Sequence, residues 1–397
     1  MTRYFWCNGR LGWPLVSVVL YSTVLVLALD YCWRVIKTPF WHLLAGCAVA
    51  WIIGIVIIGL ISRFFGRDGG KRGYALKSDA DTGSFRKAAT WYKVKLLRKW
   101  CNFNPEENLI ISANERGGST WLAESLRLIP RTAILEEPLY LVPTNPFRRL
   151  GFGWNQYIPE DANWPEAAAM FEELLRGKLL SSWISSTRSF LVADKIIVKF
   201  FFANALLPWL TRNFEFRYAP VCLIRHPFAI AASKLNLMSG WDREFTGYRI
   251  PDCRYNDRYL EHRKFLSGIT TKAEALVAEW CMANLVSLRN PRNGTDWITV
   301  YYENLLLNPN AEIQRIFDHW RMPIPSRIYD RIEAPSSTTQ EATFKESKHR
   351  QLAKWQSSFS ADQIEKMQAV LDYFNVHEYG MDVVPHPDEK RQPVTPA

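Results

Sequence analysis

Between Asn108 and Leu126 an apolar run, Leu109-Ile110-Ile111-Ser112-Ala113, enters Asn114-Glu115-Arg116-Gly117-Gly118-Ser119-Thr120 and leaves it through Trp121, Leu122, Ser125 and Leu126 at helical spacing. Residues of these types in this order suit the binding of an anion. A strand that passes to a helix through a glycine turn aims backbone N–H groups and the positive end of the helix dipole at one point. Gly117 and Gly118 let the backbone approach closely, Ser119 and Thr120 offer hydroxyl donors, and Arg116 adds a guanidinium fork. A nucleoside triphosphatase would carry G-x-x-x-x-G-K-[ST] here, but with Gly118 as the second glycine, the first falls on Ala113 and the lysine on Ser119.

A second strand-like run, Tyr218-Ala219-Pro220-Val221-Cys222-Leu223-Ile224, ends in Arg225-His226-Pro227, with Pro227 placed to open a helix and Ser233 two turns into it. Arginine for bidentate charge and serine for a hydroxyl suit a second, separate phosphate group. The seven histidines are scattered, with no H-E-x-x-H or carboxylate–histidine cluster, so no metal is expected. Neither a G-x-S-x-G elbow nor a G-x-G-x-x-G turn occurs. The seven cysteines form no C-x-x-C pair and read as small buried hydrophobes.

Arg116-Gly117-Gly118-Ser119-Thr120-Trp121-Leu122 resembles the 5′-phosphosulfate loop of sulfotransferases that use 3′-phosphoadenosine 5′-phosphosulfate (PAPS). Arg225-His226-Pro227 with Ser233 resembles that family's 3′-phosphate motif. Ile298-Thr299-Val300-Tyr301-Tyr302-Glu303-Asn304-Leu305, with Pro309 after it, is similar to its late strand and turn. His226, Phe228 and Gly117 depart from the usual Asp, Arg and Ser/Thr. The resemblance covers about residues 107 to 375 and implies an α/β fold, a P-loop-like parallel sheet flanked by helices, with the nucleotide at the carboxyl ends of the strands. It implies PAPS as donor, held by Arg116, Gly117, Gly118, Ser119, Thr120, Trp121, Arg225 and Ser233. Lys348 and Arg350, which with Lys345 and Lys354 precede Trp355, resemble the family's loop that closes over the nucleotide.

Sulfuryl transfer needs in-line geometry, stabilised charge on the moving group and a base for the acceptor hydroxyl. The family's base is a His or a Glu, and Val198-Lys199-Phe200-Phe201 supplies no histidine. Ile134-Leu135-Glu136-Glu137-Pro138-Leu139-Tyr140 resembles a segment of the membrane-bound, carbohydrate-acting branch, which implies Glu137 as base with Glu136 second. Lys199 closes the apolar strand Ile196-Ile197-Val198 and is expected to neutralise the moving group. The expected acceptor is a hydroxyl of a lipid, glycolipid or glycan, chosen by loops 140–190 and 236–275. Two other readings fit the chain: a P-loop kinase with a degenerate loop, and a catalytically silent membrane scaffold of the same fold.

These elements need a large body to hold them, and 397 residues with 48% hydrophobic content provide it. The net charge of +10 favours anionic partners in general, phosphates, lipid headgroups or nucleic acid, of which nucleic acid is not expected here. Apolar runs at about 13–33 and 40–61 are each long enough to cross a bilayer, so two transmembrane helices are expected ahead of the α/β domain. The expected organisation is a membrane hairpin at 1–62, a basic connector at 63–105, the sulfotransferase-like domain at 106–380 and a tail at 381–397. Arg3, Arg10, Arg63, Arg67, Lys71, Arg72 and Lys77 flank the outer ends of the spans, against Arg34 and Lys37 in the turn. That asymmetry predicts a multi-pass membrane protein with its catalytic domain in the cytoplasm and membrane lipid as a partner.

Overall fold

The computed structural model describes residues 6–7, 10–11, 101–179, 190, 192–237, 245–337 and 347–386. The chain divides into two units, Met1–Gly69 and Gly70–Ala397. In the first, the described residues form an antiparallel ribbon that pairs Trp6 with Leu11 and Cys7 with Arg10. Both expected spans, and the connector up to residue 100, lie outside the described residues. Among the described residues no helix is long and apolar enough to cross a membrane.

The second unit is built on a five-stranded parallel sheet. Its strands are β1 (Leu109–Ala113), β2 (Thr132–Glu136), β3 (Lys195–Phe201), β4 (Val221–Ile224) and β5 (Ile298–Tyr301). Their order across the sheet is β2-β3-β1-β4-β5. Ala113 pairs with Phe201 on one side and with Leu223 on the other, so β1 lies at the centre. The connection after β1 runs outward to β2, and the connection after β4 runs the other way to β5. The crevice between the carboxyl ends of β1 and β4 is therefore a topological switch point, where open α/β sheets place their ligands.

β1 and β4 are buried along their whole length, as expected of parallel strands covered on both faces. Period-two alternation then sorts their side chains into different cores. Leu109, Ile111 and Ala113 pack with Leu122, Leu126, Val300 and Phe317. Ile110 faces the other way, with Leu135, Val198, Phe200, Phe171 and Trp209. Cys222 and Ile224 join Phe228, Trp280 and Trp355 in a third cluster.

The helices that position the site are α1 (Ser119–Leu126), α2 (Pro165–Leu175), α3 (Leu207–Asn213), α4 (Pro227–Leu237), α5 (Lys272–Leu288), α6 (Tyr302–Leu307), α7 (Pro309–Trp320) and α8 (Ala361–Tyr373). Their starts are legible in residue type. Pro165 and Pro309 open α2 and α7, where the missing N–H costs nothing. Thr271 with Glu274, and Ser360 with Gln363, form capping boxes on α5 and α8. Phe228 of α4 is fully buried, and truncating such a side chain to Ala costs about 3–5 kcal/mol. Cys101, Cys222 and Cys281 are buried free thiols, as read from their surroundings, and burial pushes Cys101 up to about 11.

Candidate functional site

The loop from Asn114 to Gly118 turns through two residues of left-handed backbone, Arg116 at φ 67° and Gly118 at φ 91°. At Gly118 the glycine is required twice over. A Cβ there would also come within 2.4 Å of the Tyr302 ring. At Gly117 a Cβ would lie 2.8 Å from the Asn114 carbonyl oxygen, which accepts the Gly117 N–H at 2.9 Å. Helix α1 starts at Ser119 without a side-chain cap. Its leading N–H groups and dipole are thus directed into the turn.

Trp121 is buried and its indole Nε1 donates to the Ala334 carbonyl at 3.1 Å. Its ring also meets Tyr302 edge-on at 6.1 Å. The Trp121 side chain therefore anchors α1 into the core, and only its backbone remains at the loop. Ser119 is buried beneath the turn, while the Thr120 hydroxyl accepts from Lys199 Nζ at 3.3 Å.

Arg225 leaves the end of β4 toward the same turn. Its Nη1 donates to the Arg116 carbonyl at 2.8 Å, its guanidinium carbon lies 4.5 Å from the Tyr302 ring centroid, and its buried Nε has no partner. An unpartnered guanidinium N–H held in a buried place is a donor suited to an anion. Arg116 Nε in turn donates to Ser233 Oγ of α4 at 3.0 Å. The two expected anion cradles, 109 residues apart in sequence, thus share hydrogen bonds at the switch point.

The departures at His226 and Phe228 have a structural explanation. Neither side chain faces the turn: both are buried in the third core, where the His226 ring stacks on Trp355 at 4.8 Å. Burial pushes the His226 imidazole down to about 3, so it is neutral at ordinary pH.

Beside the turn lies a compact ion cluster. Glu136 sits opposite Lys199 in the β2–β3 register, and Glu137, one residue past the strand, adopts φ 50°. The Glu137 N–H donates to the Lys199 carbonyl at 2.8 Å, which fixes the bend. Lys199 Nζ then lies 3.3 Å from Glu137 Oε1 and 3.7 Å from Glu136 Oε2. Lys199 is 1% exposed and Glu137 7%, against an exposure of 30% for the Glu136 side chain. Burial drives the Glu137 carboxyl above the ordinary carboxylate range, Lys199 opposes this less strongly, and Glu136 and Glu115 add to the rise. Glu137 is thus a carboxylate of enhanced basicity, with one ammonium group between it and the phosphate-type turn.

Three residues past Glu137, where the Tyr140 N–H donates to the Glu137 carbonyl at 3.0 Å, a row of aromatic rings begins. The Tyr140 and Trp154 rings meet at 5.5 Å, and Trp154 and Phe202 at 4.9 Å. Trp154 is 42% exposed, and Phe202 is held at φ 65°, a strained value for a bulky residue. Lys234 Nζ lies 5.9 Å from the Phe202 ring and between Glu115 and Glu279, 3.7 Å from each.

Lys348 and Arg350 are exposed on the short helix Lys348–Ala353, where Lys348 Nζ donates to the Leu307 carbonyl at 3.5 Å. Lys345 lies outside the described residues. Sequence reasoning assigned no role to Tyr302, Glu303, Trp280 or Lys234. Tyr302 and Glu303 stand at the end of the apolar run that begins at Ile298, and that strand pattern is the available signal. Trp280 and Lys234 carried none. Among the described residues no three His, Cys, Asp or Glu side chains group as a metal site would require.

No known family model matches the chain, and no curated protein matches its sequence. Among solved structures it is similar to mouse sulfotransferase SULT7A1 complexed with PAP, at 10% identity and TM-score 0.37, covering 72% of this chain and 88% of that one. The sulfotransferase domain of the Synechococcus PCC 7002 olefin synthase gives 16% identity and TM-score 0.36, covering 67% and 95%. Sulfotransferase STF1 of Mycobacterium tuberculosis H37Rv gives 13% and 0.36, covering 69% and 80%.

Proposed function

We propose that the chain is a membrane-tethered, PAPS-dependent sulfotransferase that moves a sulfuryl group to a hydroxyl of a lipid, glycolipid or glycan. The observation that carries this reading is the meeting of Arg225, Arg116 and Ser233 across the switch point, which gives one basin two anion cradles. The residues fit a doubly phosphorylated nucleotide. The glycine turn and uncapped α1 suit its 5′ end, while the orphaned Arg225 Nε and the Ser233 hydroxyl suit a 3′-phosphate.

PAPS, when bound, supplies the activated sulfuryl group. Glu137 takes the proton of the acceptor hydroxyl as that oxygen bonds to sulfur and the bond from sulfur to the bridging oxygen breaks, leaving 3′,5′-ADP. Lys199 lies between Glu137 and Thr120 and offsets negative charge on the moving group. The exposed Trp154, with Tyr140 and Phe202, offers a face for the acceptor beside the base. The two apolar runs and their basic flanks support a membrane tether with the catalytic unit on the cytoplasmic side.

Equilibrium binding of 3′,5′-ADP to the purified chain tests the reading, and Arg225→Ala is expected to weaken it by about 1.5–3 kcal/mol, the loss of hydrogen bonds to a charged group. Transfer from labelled PAPS to extracted lipids and glycans then identifies the acceptor. Thermal protection by ATP with none from 3′,5′-ADP would assign the basin to a kinase instead.

A further inference from the structure

Arg225 and His226 are held by contacts from distant parts of the chain. The Arg225 carbonyl accepts from Trp280 Nε1 of α5 at 2.9 Å. The His226 N–H donates to Glu303 Oε1 at 2.9 Å, and Glu303 Oε2 accepts from the Tyr379 hydroxyl at 2.8 Å. His226 Nδ1 accepts from the Phe228 N–H at 3.1 Å, which leaves the ring proton on Nε2. That proton is directed at the carbonyls of Gly380 and Asp382, at 3.2 and 3.0 Å. Tyr379 is itself buried, with its ring 4.9 Å from His226 and 5.8 Å from Trp280. Residues 379–382 therefore close over the strand end that carries Arg225, though they lie more than 150 positions further along the chain.

Two consecutive residues of α6 bear on Arg225. Tyr302 carries its guanidinium, and Glu303 holds the backbone of the residue that follows it. Both oxygens of Glu303 are engaged within a site that is 1% exposed, so removal of either partner leaves a buried polar atom unsatisfied. The 5′ turn has a separate set of bonds: Gly117 N–H to the Asn114 carbonyl, and Trp121 N–H to the Gly118 carbonyl. The 5′ turn thus has local bonds of its own, and although Arg225 also bonds the Arg116 carbonyl, the C-terminal segment bears on the strand end that carries Arg225.

We propose that Glu303 and Tyr379 are positioning residues for the 3′-phosphate, so that the segment 379–382 sets the preference for a 3′-phosphorylated nucleotide without touching it. This rests on the reading of the basin as a PAPS site. The residues act through Arg225 and have no part in the transfer step.

The test is equilibrium binding of 3′,5′-ADP and of 5′-AMP to the full-length chain and to its Tyr379→Phe and Glu303→Gln variants, with a melting curve for each. The wild-type chain is expected to prefer 3′,5′-ADP. Both variants are expected to reduce that preference about tenfold while 5′-AMP affinity stays unchanged, which is the scale of one lost buried hydrogen bond. Tyr373→Phe, which removes an exposed hydroxyl at the end of α8 bonded to His262, is expected to leave the preference intact. A preference kept in both variants would overturn the proposal. So would a proportional loss for both nucleotides that tracks a lower melting temperature, since that is a purely structural effect. A wild-type chain that binds neither nucleotide, or both equally, would overturn the PAPS reading itself.

Discussion

Two glutamates, Glu137 and Glu303, are both buried in the second unit, and burial is the leading cause that raises both carboxyls above the ordinary carboxylate range. Their partners differ. Glu303 accepts from a backbone N–H and a buried tyrosine hydroxyl, two neutral donors held in place by the packing around them. Glu137 faces the ammonium of Lys199, whose flexible stem also reaches Thr120 at the anion-binding turn. A raised pKa therefore marks both a structural strut and a candidate base, and only the partner set separates them.

The sharpest way to break that contrast is Glu137→Gln, which is expected to lower the transfer rate by about 10²–10⁴ and leave 3′,5′-ADP binding in place. The pH profile of the wild-type chain should show the same group. A base must be ionised, so the rate is expected to be lost as pH falls through a midpoint above the ordinary carboxylate value. A rate flat across that range would move the base elsewhere.

Lys199→Met tests the ion cluster from the other side. It leaves Glu137 buried beside Glu136 without its cation, at a cost of about 3–5 kcal/mol in a denaturant melt. Because Lys199 pulls the Glu137 pKa down, the variant's rate midpoint is expected to shift to higher pH.

Gly118→Ala probes the turn that both cradles share. The left-handed backbone costs about 1–3 kcal/mol for a residue with a Cβ. The collision with Tyr302 adds to this, and displacement of that ring should disturb Arg225 as well. Calorimetric binding of 3′,5′-ADP reads both effects together.

The strut is tested by the pH dependence of stability, with no effect expected near neutral pH. His226 titrates near 6.5 when unfolded and near 3 when folded, so it stays neutral in the native chain after the unfolded chain has taken up a proton. Stability from this group is expected to be complete above pH 6.5 and to fall steadily as pH drops through that window toward 3. Glu303 has the opposite sign. Its raised carboxyl loses stability as pH climbs from the unfolded value through the folded one. Acid melts of wild type and Glu303→Gln separate the two.

Much of this site was legible in the chain. β1 and β4 announce themselves as apolar runs that end in Asn114 and Arg225, and Gly117 and Gly118 mark the turn that follows β1. The resemblance of two motifs assigned Arg116 to one cradle and Arg225 with Ser233 to the other, but not the bonds of Arg116 to Ser233 and Arg225. Trp121 was read for the nucleotide, but its indole proved to be an anchor to Ala334, because the same aromatic type serves core and ligand alike. The domain was expected to end at 380, yet the Asp382 carbonyl reaches His226. Nothing local in Gly380-Met381-Asp382 signals that use, because a backbone carbonyl has the same chemistry at every position.

What the sequence alone determined is whatever depends on neighbours along the chain: strand and helix periodicity, capping boxes, the glycine turn, and the apolar runs of the first unit. The tertiary structure alone decided which charges meet. The strand order β2-β3-β1-β4-β5 carries Lys199 between Glu137 and Thr120, and it sets Arg225 against Arg116 and Tyr302. Side-chain periodicity fixes the face on which a residue lies, but a contact across strands depends on crossovers tens of residues long, whose outcome is set by the packing of the whole core.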